Sequence, residues 1–156
     1  MVKIISEEKF EKARRKLEKE KKGSPSEDIV FTSKDDELNR RIMEKLSDNF
    51  EILLIELFGR RDYQKQRNSG LNHVMAKIAK ENKIKIGILL DEIIESNDLE
   101  KSKILERLKQ NVFLCKKQKV QMVFIFKNPK NKRNSLDLKS LGLILGMPTW
   151  MTKYCC

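Results

Sequence analysis

A single histidine, His73, and three cysteines serve a chain of 156 residues, so the side chains that hold transition metals are nearly missing. One imidazole cannot build the clusters that metallophosphatase barrels require. Cys115 stands alone in a helical pattern, and Cys155 and Cys156 end the chain. An odd count without Cys-x-x-Cys spacing argues against a disulfide framework and a zinc site. No Gly-rich phosphate loop of either common type occurs, and no Gly-x-Ser-x-Gly elbow. No apolar run approaches the ~20 residues of a membrane span, and Met1–Ile5 is too short for a signal-peptide core. The chain is therefore expected to be soluble and cytoplasmic, with no membrane partner. Acid is scarce in one region only. Residues 107–156 carry 11 Lys/Arg and one acid, Asp137, a net of +10, whereas residues 1–106 carry 23 Lys/Arg and 22 Asp/Glu, a net of +1. A balanced front and a cationic back point to a polyanion partner for the back.

What is present suffices for a packed core. Apolar residues make up 39% of the chain beside 37% charged ones, too many for disorder. The length fits one domain, expected over residues 1–150 with a frayed end at 151–156, and is short for a full barrel of eight units, which needs ~200–250 residues.

Apolar periodicity divides the chain into alternating units. Val2–Ile5 reads as a strand, and Ser6 as the cap of a charged helix over Glu7–Lys22, with Glu7 and Glu8 in its first turn. That helix is expected to be a solvated outer surface rather than an RNA-binding arm. Gly23-Ser24-Pro25-Ser26 breaks it. Ile29–Thr32 is a second strand, and Ser33 with Asp36 resembles a capping box for a helix carrying Leu38, Ile42, Met43 and Leu46. Ile52–Phe58 is a third strand, ended by Gly59. Leu71, Val74, Met75, Ile78 and Ala79 then form one helical stripe, capped by Ser69 or Asn72 and closed by Asn82. The run Ile84–Leu90 is apolar at nearly every residue, as in strands buried on both faces of a parallel sheet. Asp91–Asn97 turns the chain into a long helix, Asp98–Lys119, with Ile104, Leu108, Val112 and Cys115 inward. Met122–Phe126 is a fifth strand, and Ser135 caps a last helix with Leu138, Leu141 and Leu145 inward. Gly146 and Pro148 stop it. Five strands alternating with five helices argue for an α/β fold with a parallel sheet joined by right-handed crossovers.

Four stretches carry a resemblance. Ser69-Gly70-Leu71-Asn72-His73-Val74-Met75-Ala76-Lys77-Ile78, followed by Lys83-Ile84-Lys85-Ile86-Gly87-Ile88-Leu89-Leu90, resembles archaeal ribonuclease P protein component 3 and its eukaryotic counterpart. The likeness continues through Asn111–Val120, Arg133–Leu138 and Leu141–Met147, in collinear order. It covers residues 69–147; the first half is similar only in layout. The resemblance implies a barrel related to the polymerase and histidinol phosphatase type, here a shortened or unclosed TIM-like barrel. It also implies a protein subunit of a ribonucleoprotein endonuclease that removes 5′ leaders from precursor tRNA. The partners it implies are the catalytic RNA, a second small protein subunit and precursor tRNA. The chemistry and the Mg²⁺ are then expected on the RNA, with no cofactor bound by this chain.

The candidate site follows from placement of charge. In a parallel sheet every loop that follows a strand emerges at one end. The loop after the third strand offers Arg60, Arg61, Lys65 and Arg67 against Asp62; the loop after the fifth offers Lys127, Lys130, Lys132 and Arg133. Arginine forks and lysine charges suit phosphate oxygens, so these eight are the candidate RNA-binding residues, weighed against a merely solubilising surface. Arg133 best matches a family position. Tyr63 and Asn68 are candidates for stacking or hydrogen bonding. Asn72 and His73 belong to the motif without an assigned role, a local hydrogen bond for His73 outweighing contact with RNA. Asp91 and Glu92 follow a strand end, where barrel enzymes place catalytic carboxylates, but adjacent acids there read more readily as a helix start or solvated turn. The family usually has an arginine near this point. No catalytic residue is assigned. The alternatives are a metal-dependent phosphoesterase of the same barrel superfamily, disfavoured by its missing ligands, and a non-specific basic RNA-binding module.

Overall fold

Five short runs of β-branched and aliphatic residues pair in the order in which they occur. The computed structural model describes residues 2–24 and 26–154. Strands β1 (Lys3–Ser6), β2 (Ile29–Thr32), β3 (Ile52–Ile55), β4 (Lys85–Leu89) and β5 (Met122–Ile125) form one parallel sheet in the order β1-β2-β3-β4-β5. Every residue of β2, β3 and β5 is buried, as their unbroken apolar runs require. Because the order never reverses, right-handed crossovers deliver the helices to one face of the sheet. These are α1 (Phe10–Gly23), α2 (Asp36–Lys45), α3 (His73–Glu81), α4 (Leu90–Glu95), α5 (Asp98–Gln118), α6 (Ser135–Ile144) and α7 (Thr149–Thr152). Such an arrangement is a barrel wall rather than a doubly wound sheet. β1 and β5 do not pair with each other, so the wall stays open.

Two apolar clusters follow from the alternation of side chains across the strands. The larger one, between sheet and helices, includes Phe31, Leu53, Ile55, Ile86, Ile88 and Phe124 from the strands, and Ile42, Met75, Ile104 and Leu108 from the helices. The smaller one lies on the inner face and joins Val30, Ile52, Leu54, Leu89, Val123 and Ile125, with Ile4 packed against it. Gly87 faces this cluster, and a Cβ there would meet Ile125, Ile52 and Leu54 at 3.0–3.2 Å. The residue that interrupts the apolar run of β4 is thus the one that lets the inner side chains close together.

Several local expectations change. Ser6 ends β1 rather than capping a helix, and α1 begins at Phe10 after Lys9, which makes no side-chain cap. Glu8 is drawn away from a helical first turn because its carboxylate accepts Ser33 Oγ (3.1 Å) and the Lys34 N–H (3.3 Å). With Ser33 so engaged, Asp35 caps α2 by accepting from the N–H groups of Glu37 and Leu38. Asn134, not Ser135, caps α6, and Asp91–Asn97 contains the extra helix α4 instead of a plain turn. The stripe of α3 is turned by one position: Val74 is 40% exposed, while Ala76 is fully buried. The expected fraying from residue 151 does not begin there, since Met151 and Thr152 are buried in α7. α1 ends at Gly23 with Ser24 as its C-cap, where the Gly23–Ser26 break was expected. Met1, Pro25, Cys155 and Cys156 lie outside the described residues, so the expectation on the terminal cysteines is not addressed by the fold. No helix among the described residues is long and apolar enough to cross a membrane.

Candidate nucleic-acid interface

The parallel order sends the loop 56–72 after β3 and the loop 126–134 after β5 to the same end of the sheet. Each is held by an acid that follows β4. Asp91, 8% exposed, accepts the N–H of Lys127 (2.7 Å), the N–H of Asn128 (2.9 Å) and the side-chain amide of Asn131 (2.7 Å). Burial pushes the Asp91 carboxyl up, but these three donors outweigh it and hold the group below the ordinary aspartate range. Glu92 accepts the N–H groups of Leu57 (2.8 Å) and Phe58 (3.1 Å). Burial, helped by the charge of Glu56, nevertheless leaves the Glu92 carboxyl above its usual range. The two acids stand in the first turn of α4, the helix start expected of them, but instead of being solvated they form a pair of clamps, one for each cationic loop. Their oxygens are engaged by the backbone N–H groups of the two loops and by the Asn131 amide.

The first loop is also built around a buried arginine. Arg107 of α5 is 1% exposed; it donates from Nε to Asp62 Oδ1 (3.0 Å) and from the two terminal nitrogens to the carbonyls of Leu57 (2.9 Å) and Arg60 (2.6 Å). Asp62 in turn accepts the Asn68 N–H (2.9 Å) and Arg67 (3.1 Å). The Arg107 guanidinium, then the Asn68 N–H, hold the Asp62 carboxyl far below the usual range. Sequence reading missed Arg107. Its signal was an arginine three positions after Ile104, on the buried stripe that also carries Asn111.

This framework separates the eight candidate cations. Arg60 is a structural residue: its guanidinium makes a two-pronged contact with Asp36 (2.8 and 2.9 Å) and donates to the Glu56 carbonyl (2.6 Å). Arg67 pairs with Asp62, and Lys127 pairs with Glu56 (2.7 Å). Arg61, Lys65, Lys130, Lys132 and Arg133 are exposed and have no acid partner among the described residues. Arg133 touches only the carbonyls of Lys130 (3.2 Å) and Lys132 (3.0 Å). Lys34, exposed after β2 at the same end, was not among the candidates.

The motif residues serve different ends. Gly70 takes φ +71°, and a Cβ there would lie 2.5 Å from the Arg60 guanidinium, so both backbone and space demand glycine. Buried Ser69 is held by Gln110 (3.1 Å) and Asn111 (3.0 Å), and the Asn72 side chain caps α3 at the Met75 N–H (2.9 Å). His73 does not take the local hydrogen bond expected of it: it is exposed and makes none among the described residues. It lines a cleft of about 400 Å³ with Tyr63, Arg67 and Arg40. Among the described residues no three of His, Cys, Asp and Glu converge on a point that could hold a metal ion. Burial pushes the Cys115 thiol up to about 12, so it is inert packing.

No protein-family model matches the chain. Among curated proteins, a stretch of 57 residues is 42% identical to ribonuclease P protein component 3 of Methanosarcina acetivorans, covering 36% of this chain. The chain resembles archaeal ribonuclease P protein component 3. That match spans 24% of the relative's own length. Among solved structures, a chain in the cryo-EM structure of archaeal ribonuclease P with mature tRNA superposes over 97% of this chain with a TM-score of 0.79, at 24% identity. This chain spans 62% of that ribonuclease P chain, and the likeness carries the open, TIM-like wall of parallel strands.

Proposed function

We propose that this chain is an RNA-binding protein subunit of ribonuclease P, acting with a catalytic RNA and a second small protein in removing 5′ leaders from precursor tRNA. The observation that carries the reading is the set of five unpaired cations in two loops at one end of the sheet, joined to the component 3 likeness. Arg61, Lys65, Lys130, Lys132 and Arg133 would neutralise phosphates of the RNA, while Asp91, Glu92 and Arg107 keep the loops in place. No group of this chain is asked to move a proton or hold a metal; the Mg²⁺ and the cleavage belong to the RNA. Folding an RNA brings phosphates together, and protein cations replace part of the counterion atmosphere that Mg²⁺ otherwise supplies.

The test is a Mg²⁺ titration of precursor tRNA cleavage, with the RNA and protein partner fixed and this chain present or absent. Its presence should lower the Mg²⁺ needed for half-maximal cleavage, and the chain alone should not cleave at any Mg²⁺ concentration. Cleavage by the protein alone, abolished by Asp91→Asn, would overturn the scaffold role and favour a phosphoesterase.

A further inference from the structure

The cleft above the N-terminus of α3 is left over once the phosphate-binding cations are assigned. It lies where the 56–72 loop, α2 and α5 meet, and its volume of about 400 Å³ falls in the range of small-ligand sites. Its charged side chains cancel one another. Asp36 is bound by Arg60, Glu37 by Arg40 (3.1 Å), and Arg67 by Asp62. A free phosphate therefore meets no uncompensated cation inside. What remains unspent is of another kind: the Tyr63 ring, 59% exposed, and the His73 ring, which makes no hydrogen bond. Leu71, Met75 and Leu114 add apolar lining, and Gln66 and Asn68 supply amides. Arg40 adds a buried Nε with no hydrogen-bond partner in the structure.

Aromatic faces, amides and a balanced charge are the complement of a nucleobase, which stacks through its face and hydrogen-bonds through its edge. We propose that this cleft receives one unstacked base of a single-stranded segment of RNA, held between Tyr63 and His73, with Arg61 and Lys65 on the flanking phosphates. The proposal rests on the RNA-binding reading above and names the element that reading leaves open: an unpaired nucleotide rather than duplex. A base inside an A-form helix cannot enter, because its face is covered by its neighbours.

The probe is a short single-stranded RNA carrying 2-aminopurine, whose fluorescence changes when its stacking changes, titrated with the full chain. A duplex of the same sequence and free AMP serve as controls. The single strand is expected to bind with a fluorescence change, the duplex without one, and AMP far more weakly because it lacks the flanking phosphates. Tyr63→Ala should weaken single-strand binding about tenfold and remove the signal, leaving duplex binding unchanged. Tyr63→Phe should restore both; the ring is exposed, so neither variant disturbs the core. If Tyr63→Ala keeps affinity and signal, or duplex and single strand bind alike, the base-binding cleft is wrong and the phosphate-binding reading stands. AMP binding as tight as the oligonucleotide would mean a free-nucleotide site, which also overturns the proposal. No binding to any RNA would overturn the functional reading itself.

Discussion

Arg107 carries a charge into a site that is 1% exposed and uses all three of its guanidinium nitrogens in shaping the loop after β3. Removing one partner of such a buried pair leaves the other uncompensated. Arg107→Ala should therefore cost about 3–5 kcal/mol in urea unfolding. Arg107→Lys should recover little of it, since a lysine cannot serve Asp62 and two carbonyls with one planar fork. Unfolding that matches the native chain in Arg107→Ala would show that the loop is not held this way. The acids respond to pH with opposite signs. Asp62 and Asp91 are held below their unfolded range, so their contribution is present above about pH 4, the ordinary aspartate pKa, and is lost as pH falls. Glu92 is raised, so its contribution is fullest in acid and shrinks as pH rises through its folded pKa. Thermal unfolding followed from pH 6 to pH 2 should show a falling Tm, and Asp91→Asn should flatten part of that fall. An equal fall in both proteins would mean the Asp91 clamp contributes nothing. At this scale the sequence was least legible: Asp91 and Glu92 read as a helix start or a solvated turn, and while the helix start is there, only their tertiary partners show that they clamp two loops.

At the scale of elements, the apolar periods were enough to locate all five strands and the five longer helices: β2, β3 and β5 are buried at every residue and leave an unbroken apolar run, and the helices bury a stripe. Their ends were not. Ser6, Ser33 and Ser135 each stand beside another good capping residue or a competing acid, and the winner is set by contacts made across the chain. Ser33 shows this directly, drawn to Glu8 at a separation of 25 residues. α3 remains the element that ties sheet, α2 and α5 together, with Met75 only 2% exposed. Met75→Ala should cost about 2–5 kcal/mol by chemical denaturation, the range of buried large-to-small changes. His73→Ala, on an exposed and unbonded side chain, should leave stability unchanged, in contrast to the local role its position suggested. A stability loss at His73 equal to that at Met75 would place the ring in the core after all.

For the whole molecule, the sequence already showed where the charge lies along the chain, and the parallel order turned that into a cationic rim. What it could not show was which cations are free. Three of the eight candidates are spent on Asp36, Asp62 and Glu56, and the partners of two of them are remote in sequence. The five that remain set the expected salt dependence of RNA binding, because each phosphate neutralised releases counterions. The decisive measurement is the affinity for RNA between about 50 and 200 mM salt, for the native chain and for a Lys130→Glu, Lys132→Glu, Arg133→Glu variant. Five phosphate contacts imply a slope of roughly 3.5–4.5 in log affinity against log salt, a loss on the order of 10²-fold across that range. The variant should lose about three-fifths of that slope while unfolding at the native temperature. A slope that does not change when these three charges are reversed would show that the rim is only solvated surface.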